Sequence, residues 1–165
     1  MVRRVFYSFH YEPDSWRAGQ VRGMGVIEGN APVSDNDWEA VTRGGDAAIQ
    51  EWIEEQMSGK SCVVVLIGTN TASRKWVKYE IRKAWHEGKG VLGVYVHNLK
   101  DSNGNQAAKG ANPFDAVPRE GTNMMLSSVV EAYDPPFTIS KYVYNYIKEN
   151  LADWVERAIA RRAAL

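Results

Sequence analysis

Apolar residues fall along this chain in two rhythms. Val2 to Phe9, VRRVFYSF, is β-branched and aromatic up to a polar HYEPD, which predicts a first strand. Cys62 to Gly68, CVVVLIG, is apolar without alternation, and Val91 to His97, VLGVYVH, reads alike. A strand with one wet face alternates. An unbroken apolar run needs cover on both faces, the habit of a central parallel strand. The second rhythm is helical. In GDAAIQEWIEEQMSGKS, Ile49, Trp52, Ile53 and Met57 share one face and Glu51, Glu54 and Glu55 the other, with Gly59 as a stop. SRKWVKYEIRKAW predicts a helix from about Arg74 to Glu87, closed by Gly88. Ser140 is expected to cap a long final helix whose stripe is Ile147, Leu151, Trp154, Val155 and Ala158.

The remaining segments are less regular. Asp14 to Val21 reads as a short helix, and Met24 to Ile27 as a short strand within a Gly- and Asp-rich loop. Met125 to Tyr133 reads as a last strand, broken by Asp134-Pro135-Pro136. Asn98 to Pro118 is a long polar loop, the kind that is usually functional or mobile. Strand, helix and strand from Cys62 to His97 make a βαβ unit with an expected right-handed crossover. The sum is a single α/β domain over residues 1–165: a doubly wound parallel sheet of four to five strands, with helices on both faces. Ligands in such sheets bind outside the carboxyl ends of the strands. Ser8 to Glu12, Gly68 to Trp76 and the segment from His97 meet there.

Composition narrows this picture. A chain of 165 residues suits one domain with a sizeable core. Twenty basic residues balance twenty acidic ones, so charge does not point to nucleic acid or an anionic membrane. Cys62 is the only cysteine, which rules out an intrachain disulfide and suits a reducing, cytoplasmic compartment. No apolar run suits a secretory signal or approaches the ~20 residues of a membrane span.

Several chemistries fail on particular residues. Gly23 to Gly29, GMGVIEG, places its third glycine one position late for a dinucleotide fingerprint. No P-loop is present. A phospho-receiver needs an acceptor aspartate where this chain has Ile67-Gly68. His10, His86, His97 and Cys62 show no metal-ligand spacing. No G-x-S-x-G elbow gives Ser8 a claim as a nucleophile.

Glu80 is different. At 100° per residue, Val77, Ile81, Ala84 and Trp85 cluster as a buried stripe. Lys78, Tyr79, Arg82 and Lys83 point away. Glu80 and Trp76 lie together at one edge, one turn apart. Two readings stand side by side. Glu80 is a boundary carboxylate pairing with Lys83 or Arg74, or a cleft carboxylate partly desolvated by Trp76.

RRVFYSFHY, CVVVLIG followed by SRKWVKYEI, and KGANPFD together resemble the TIR-like proteins of bacterial anti-phage defence, specifically the TIR component of Thoeris systems. The resemblance runs from Arg3 to about Tyr133. Ser73, Trp76 and Glu80 match the S-x-x-W-x-x-x-E motif that bears the catalytic glutamate of the family. The resemblance implies a flavodoxin-like sheet and cleavage of NAD⁺ at the nicotinamide–ribose bond. It also implies an ADP-ribose-type signal, often cyclic, that reaches a separate effector protein, and self-association on activation. NAD⁺ would be a substrate, so no cofactor is expected. A non-catalytic TIR-type interaction module and another N-glycosidic enzyme are the alternatives.

One carboxylate suits that reaction. Ordinary glycosidases need two because the leaving oxygen must be protonated. Nicotinamide is cationic in NAD⁺ and leaves neutral. What remains is positive charge on the ribose, which a fixed carboxylate stabilises. By strand-end position, Tyr7, Ser8, Phe9 and His10 are candidates to line the pocket. Phe9 is either a nicotinamide stacker or core. Trp76 either walls the ribose or packs the helix start. Ser73 caps that helix or contacts substrate. Asp46 caps its own helix or approaches the ribose. KGANPFD is either a lid or an Asn-Pro turn anchored by Phe114. Gly29 to Gly45 departs from the family's self-association loop.

Overall fold

A computed structural model describes residues 2–30 and 40–165. The departure noted within Gly29 to Gly45 therefore lies largely outside the described residues. Four parallel strands form the sheet: β1 (Val5–Ser8), β2 (Cys62–Ile67), β3 (Gly90–Tyr95) and β4 (Ala132–Tyr133), in the spatial order β1-β2-β3-β4. Every residue of β1, β2 and β3 is buried, as the continuous apolar runs require.

Helices cover both faces. Val5, Tyr7, Val64, Leu66, Leu92 and Val94 pack with α1 (Tyr11–Gly23) and the final helix α4 (Ser140–Ala163). Phe6, Val63, Val65, Ile67 and Val91 pack with α2 (Gly45–Met57) and α3 (Lys75–His86). Each fully buried Val or Leu contributes roughly 1.5–3 kcal/mol. Close approach of α4 to β3 depends on Gly90, where a Cβ would lie 2.8 Å from the Ile159 backbone nitrogen. No described helix is long and apolar enough to cross a membrane.

Met24 to Ile27 is not a strand. The chain turns there and makes one parallel bridge, Glu28 with Arg4, on the side of β1 away from β2. Counting that bridge, the chain visits the sheet in the order 2-1-3-4-5, the flavodoxin-like winding. The order reverses at β1.

Three other expectations change. Met125 to Tyr133 yields only the two-residue β4, because Leu126 and Val130 both turn into the core and Leu126–Ser128 forms a 3₁₀ turn. Ser140 is the first helical residue, and Ile139 occupies the cap position. The short helix read from Asp14 to Val21 extends over Tyr11–Gly23. Its periodicity is weak because it buries Asp14 and Arg17 beside Ala18 and Val21.

That polar pair fixes the loop after β3. The Arg17 guanidinium donates to the Asp14 carboxylate at 2.9 Å, to the Leu99 carbonyl at 2.8 Å and to the Asn105 carbonyl at 2.9 Å. Thr69 Oγ1 donates to the Ala108 carbonyl at 2.6 Å. Further along, Asn112 Oδ1 accepts from the Phe114 amide at 2.9 Å, and Phe114 is fully buried. KGANPFD is thus the anchored Asn-Pro turn rather than a lid.

Candidate active site

A cleft of about 870 Å³ opens at the carboxyl end of β1, where the strand order reverses. That volume falls within the ~300–1,000 Å³ of small-molecule sites. Its walls come from the end of β1, one flank of α1, and the starts of α2 and α3.

Glu80 lines this cleft from the second turn of α3. It is only 7% exposed, so the structure removes it from the rim position given by the helical wheel. The wheel sees one helix. The missing cover comes from β1 and from the cleft wall itself. Lys83 does not pair with it, since its ammonium meets Glu87 at 2.8 Å. Burial without a cationic partner pushes the Glu80 carboxyl up to about 8, and the nearby Ser8 hydroxyl opposes that rise. Ser8 is buried, and its Oγ has no hydrogen-bond partner among the described residues. The approach of Ser8 therefore favours the carboxylate without closing a hydrogen bond.

The other sequence candidates divide. Phe9 and His10 follow β1 into the cleft. Phe9 is half-buried, packs on the core and stacks on Tyr11 with centroids 6.2 Å apart, so it serves the core and still presents an edge to the cleft. His10 precedes α1, and its Nδ1 is buried without a partner among the described residues. Burial, and then the charge of Arg74, hold its pKa below the ordinary value, with Asp14 and Glu12 opposing. The ring is neutral at pH 7.

Trp76 lies half-buried in the first turn of α3, with its ring edge-on to Tyr79 at 5.5 Å. Asp46 does not cap α2, whose cap position is Gly44. Its carboxylate accepts from Lys75 at 2.7 Å and ties the starts of α2 and α3 together at the cleft mouth. Ser73 is exposed, donates to the Asn70 carbonyl at 2.9 Å and does not line the cleft. Arg74 holds the cap position of α3 instead.

Sequence reasoning missed Asn30 and Arg22. Asn30 Oδ1 accepts the Tyr7 amide at 2.9 Å, which fastens the chain beside β1 to the cleft floor. Arg22 lies on the α1 flank of the cleft. Its only sequence signal is the one-turn spacing of Ser15, Gly19 and Gly23 around it.

The cleft thus offers one deeply buried carboxylate, a neutral imidazole, aromatic walls and cations toward its ends. Such a site favours a substrate that brings positive charge to the carboxylate and negative charge elsewhere.

The family model described as Thoeris protein ThsB, TIR-like domain, matches residues 6–101. This stretch contains Ser8, Phe9, His10, Asp46, Trp76 and Glu80. A Bacillus cereus (strain MSX-D12) protein named "Putative cyclic ADP-D-ribose synthase ThsB1" is 38% identical over 120 residues. The match spans 70% of this chain and 62% of that relative, so it covers less than two thirds of the relative's length.

Proposed function

Since the chain belongs to the TIR-like domain family of Thoeris ThsB proteins, we propose that it cleaves NAD⁺ at the nicotinamide–ribose bond, with Glu80 as the catalytic group. The product is an ADP-ribose-type signal, cyclic in the manner that the relative's name describes. The signal acts on a separate effector protein. We read residues 1–165 as one such domain, self-associating when activated.

The observation that carries this reading is the burial of one carboxylate, Glu80, in a dinucleotide-sized cleft whose other carboxylates are not buried. In the reaction the ribose C1–N bond breaks, and nicotinamide leaves with both electrons as a neutral ring. No proton has to be supplied. The ribose ring oxygen shares the positive charge left on C1, and Glu80 stabilises it from a fixed position. A nucleophile from the remaining ADP-ribose then closes the ring, or water completes hydrolysis. Either nucleophile gives up a proton once bonded.

The raised pKa of Glu80 fits this sequence of events. Burial alone keeps the carboxyl largely protonated at neutral pH. The cationic nicotinamide ring of NAD⁺ favours the ionised form when it arrives. The strongest charge interaction is thereby reserved for the occupied site.

The test is mass spectrometry of NAD⁺-derived products in phage-challenged bacteria that express wild-type protein or Glu80→Gln. Wild type is expected to consume NAD⁺ and yield nicotinamide plus an ADP-ribose-type product, and the variant neither. Unchanged NAD⁺ in activated wild-type cells would contradict the reading and favour a non-catalytic interaction module.

A further inference from the structure

We propose that Arg22 and Tyr7 form the anion-binding end of the cleft and take the pyrophosphate of the dinucleotide; this rests on the NAD⁺ reading above. The cleft does not stop at Glu80. It continues past β1 along the flank of α1, where Ser15, Gly19 and Gly23 follow at one-turn spacing. Among the described residues, a Cβ on Gly19 or Gly23 would meet nothing within 4 Å, so these glycines leave the groove open down to the helix backbone.

Arg22 stands at this end with its guanidinium carbon 5.7 Å from the centroid of the Tyr7 ring. Its Nε is buried and has no hydrogen-bond partner among the described residues. Among the described residues no carboxylate pairs with it. Burial lowers its pKa, and only Tyr7 opposes that. Tyr7 is 2% exposed, and its hydroxyl is a second buried polar atom without a partner among the described residues.

Buried polar groups are nearly always hydrogen-bonded, because an unmade bond is costly and more so for a charged group. Two orphans side by side, at the end of an open groove, call for a ligand that brings acceptor oxygens and negative charge. A phosphate brings both. The other cations of the cleft are placed differently. Lys75 is already neutralised by Asp46, and Arg74 is exposed at the start of α3. Guanidinium also suits phosphate through its fixed fork of donors.

The test is calorimetric titration of the intact protein with two probes: ADP-ribose, which carries the pyrophosphate, and nicotinamide riboside, which carries none. Arg22→Ala is expected to weaken ADP-ribose binding about 10–100-fold and to leave nicotinamide riboside unchanged. Arg22→Lys should recover part of the loss. Tyr7→Phe keeps the ring and should weaken ADP-ribose about 3–10-fold. In turnover, Arg22→Ala should raise KM for NAD⁺ more than it lowers kcat. The proposal alone is overturned if wild type binds ADP-ribose and Arg22→Ala binds it equally well. Equal loss of both probes in the variant would overturn it too, since that marks a role in the fold. A wild type that binds neither probe overturns the dinucleotide reading itself, and this assignment with it.

Discussion

Glu80 has a measurable cost to the fold. Its folded pKa of about 8 lies above its ordinary value of 4.5. Between those values the folded state keeps a proton that the unfolded chain has lost. Stability contributed by this group is therefore complete below about pH 4.5 and declines as pH rises toward 8. Glu80→Gln removes the ionisable group. The variant should match wild type near pH 4 and be more stable by up to about 5 kcal/mol above pH 8. Denaturant unfolding across that range measures the difference. A variant no more stable than wild type at pH 8 would show that the carboxylate is not desolvated as described. The sequence placed Glu80 beside Trp76 at the edge of a stripe. It did not reveal the burial, because Ser8 and the β1 end come from a distant part of the chain. Ser73 shows the opposite failure. It belongs to the same motif, yet its hydroxyl is spent on the Asn70 carbonyl outside the cleft.

Elements were legible where burial is one-sided or complete. The unbroken runs at Cys62 and Val91 became β2 and β3, and the stripes at Ile49 and Val77 became α2 and α3. Helix α1 was read too short because a polar pair occupies its buried face, and no periodicity of apolar residues marks such a face. Asp14 and Arg17 are each at most 3% exposed, and Arg17 also holds the loop carbonyls of Leu99 and Asn105. Burial raises the Asp14 pKa despite Arg17 beside it. Removing the cation would leave the acid buried alone and two carbonyls unpaired. Arg17→Met should therefore destabilise the protein by about 3–5 kcal/mol. Amide hydrogen exchange should speed up across residues 97–107, whose path those bonds fix. A cost under about 1 kcal/mol with unchanged exchange would contradict this role. Gly68 belongs to the same arrangement, since a Cβ there would meet the Asp14 carboxylate.

At the scale of the whole molecule, the winding of the chain decides where chemistry can occur. The bridge at Glu28 lies on one side of β1 and the rest of the sheet on the other, so the loops diverge at β1 and leave the cleft between them. The βαβ pattern and the strand-end rule anticipated the segments after β1 and at the start of α3, but also brought in His97 and Gly68 to Ser73, which do not line the cleft. They did not anticipate its reach along α1 to Arg22, because a groove between a helix flank and a strand edge leaves only a weak spacing of small residues. Nor did they separate the anchored loop at Phe114 from a lid, since both are polar and rich in turn residues. The resulting cleft holds a carboxyl group whose charge state depends on what occupies it. The direct measurement is the rate of nicotinamide release from NAD⁺ by activated protein across pH 5.5–9.5, for wild type and Glu80→Gln. For wild type, kcat/KM should rise with pH through a limb near 8, the pKa of the free cleft, and kcat should rise at lower pH because bound substrate favours the carboxylate. Glu80→Gln should be slower by about 10²–10³ or more at every pH. A variant that releases nicotinamide at the wild-type rate would contradict the account.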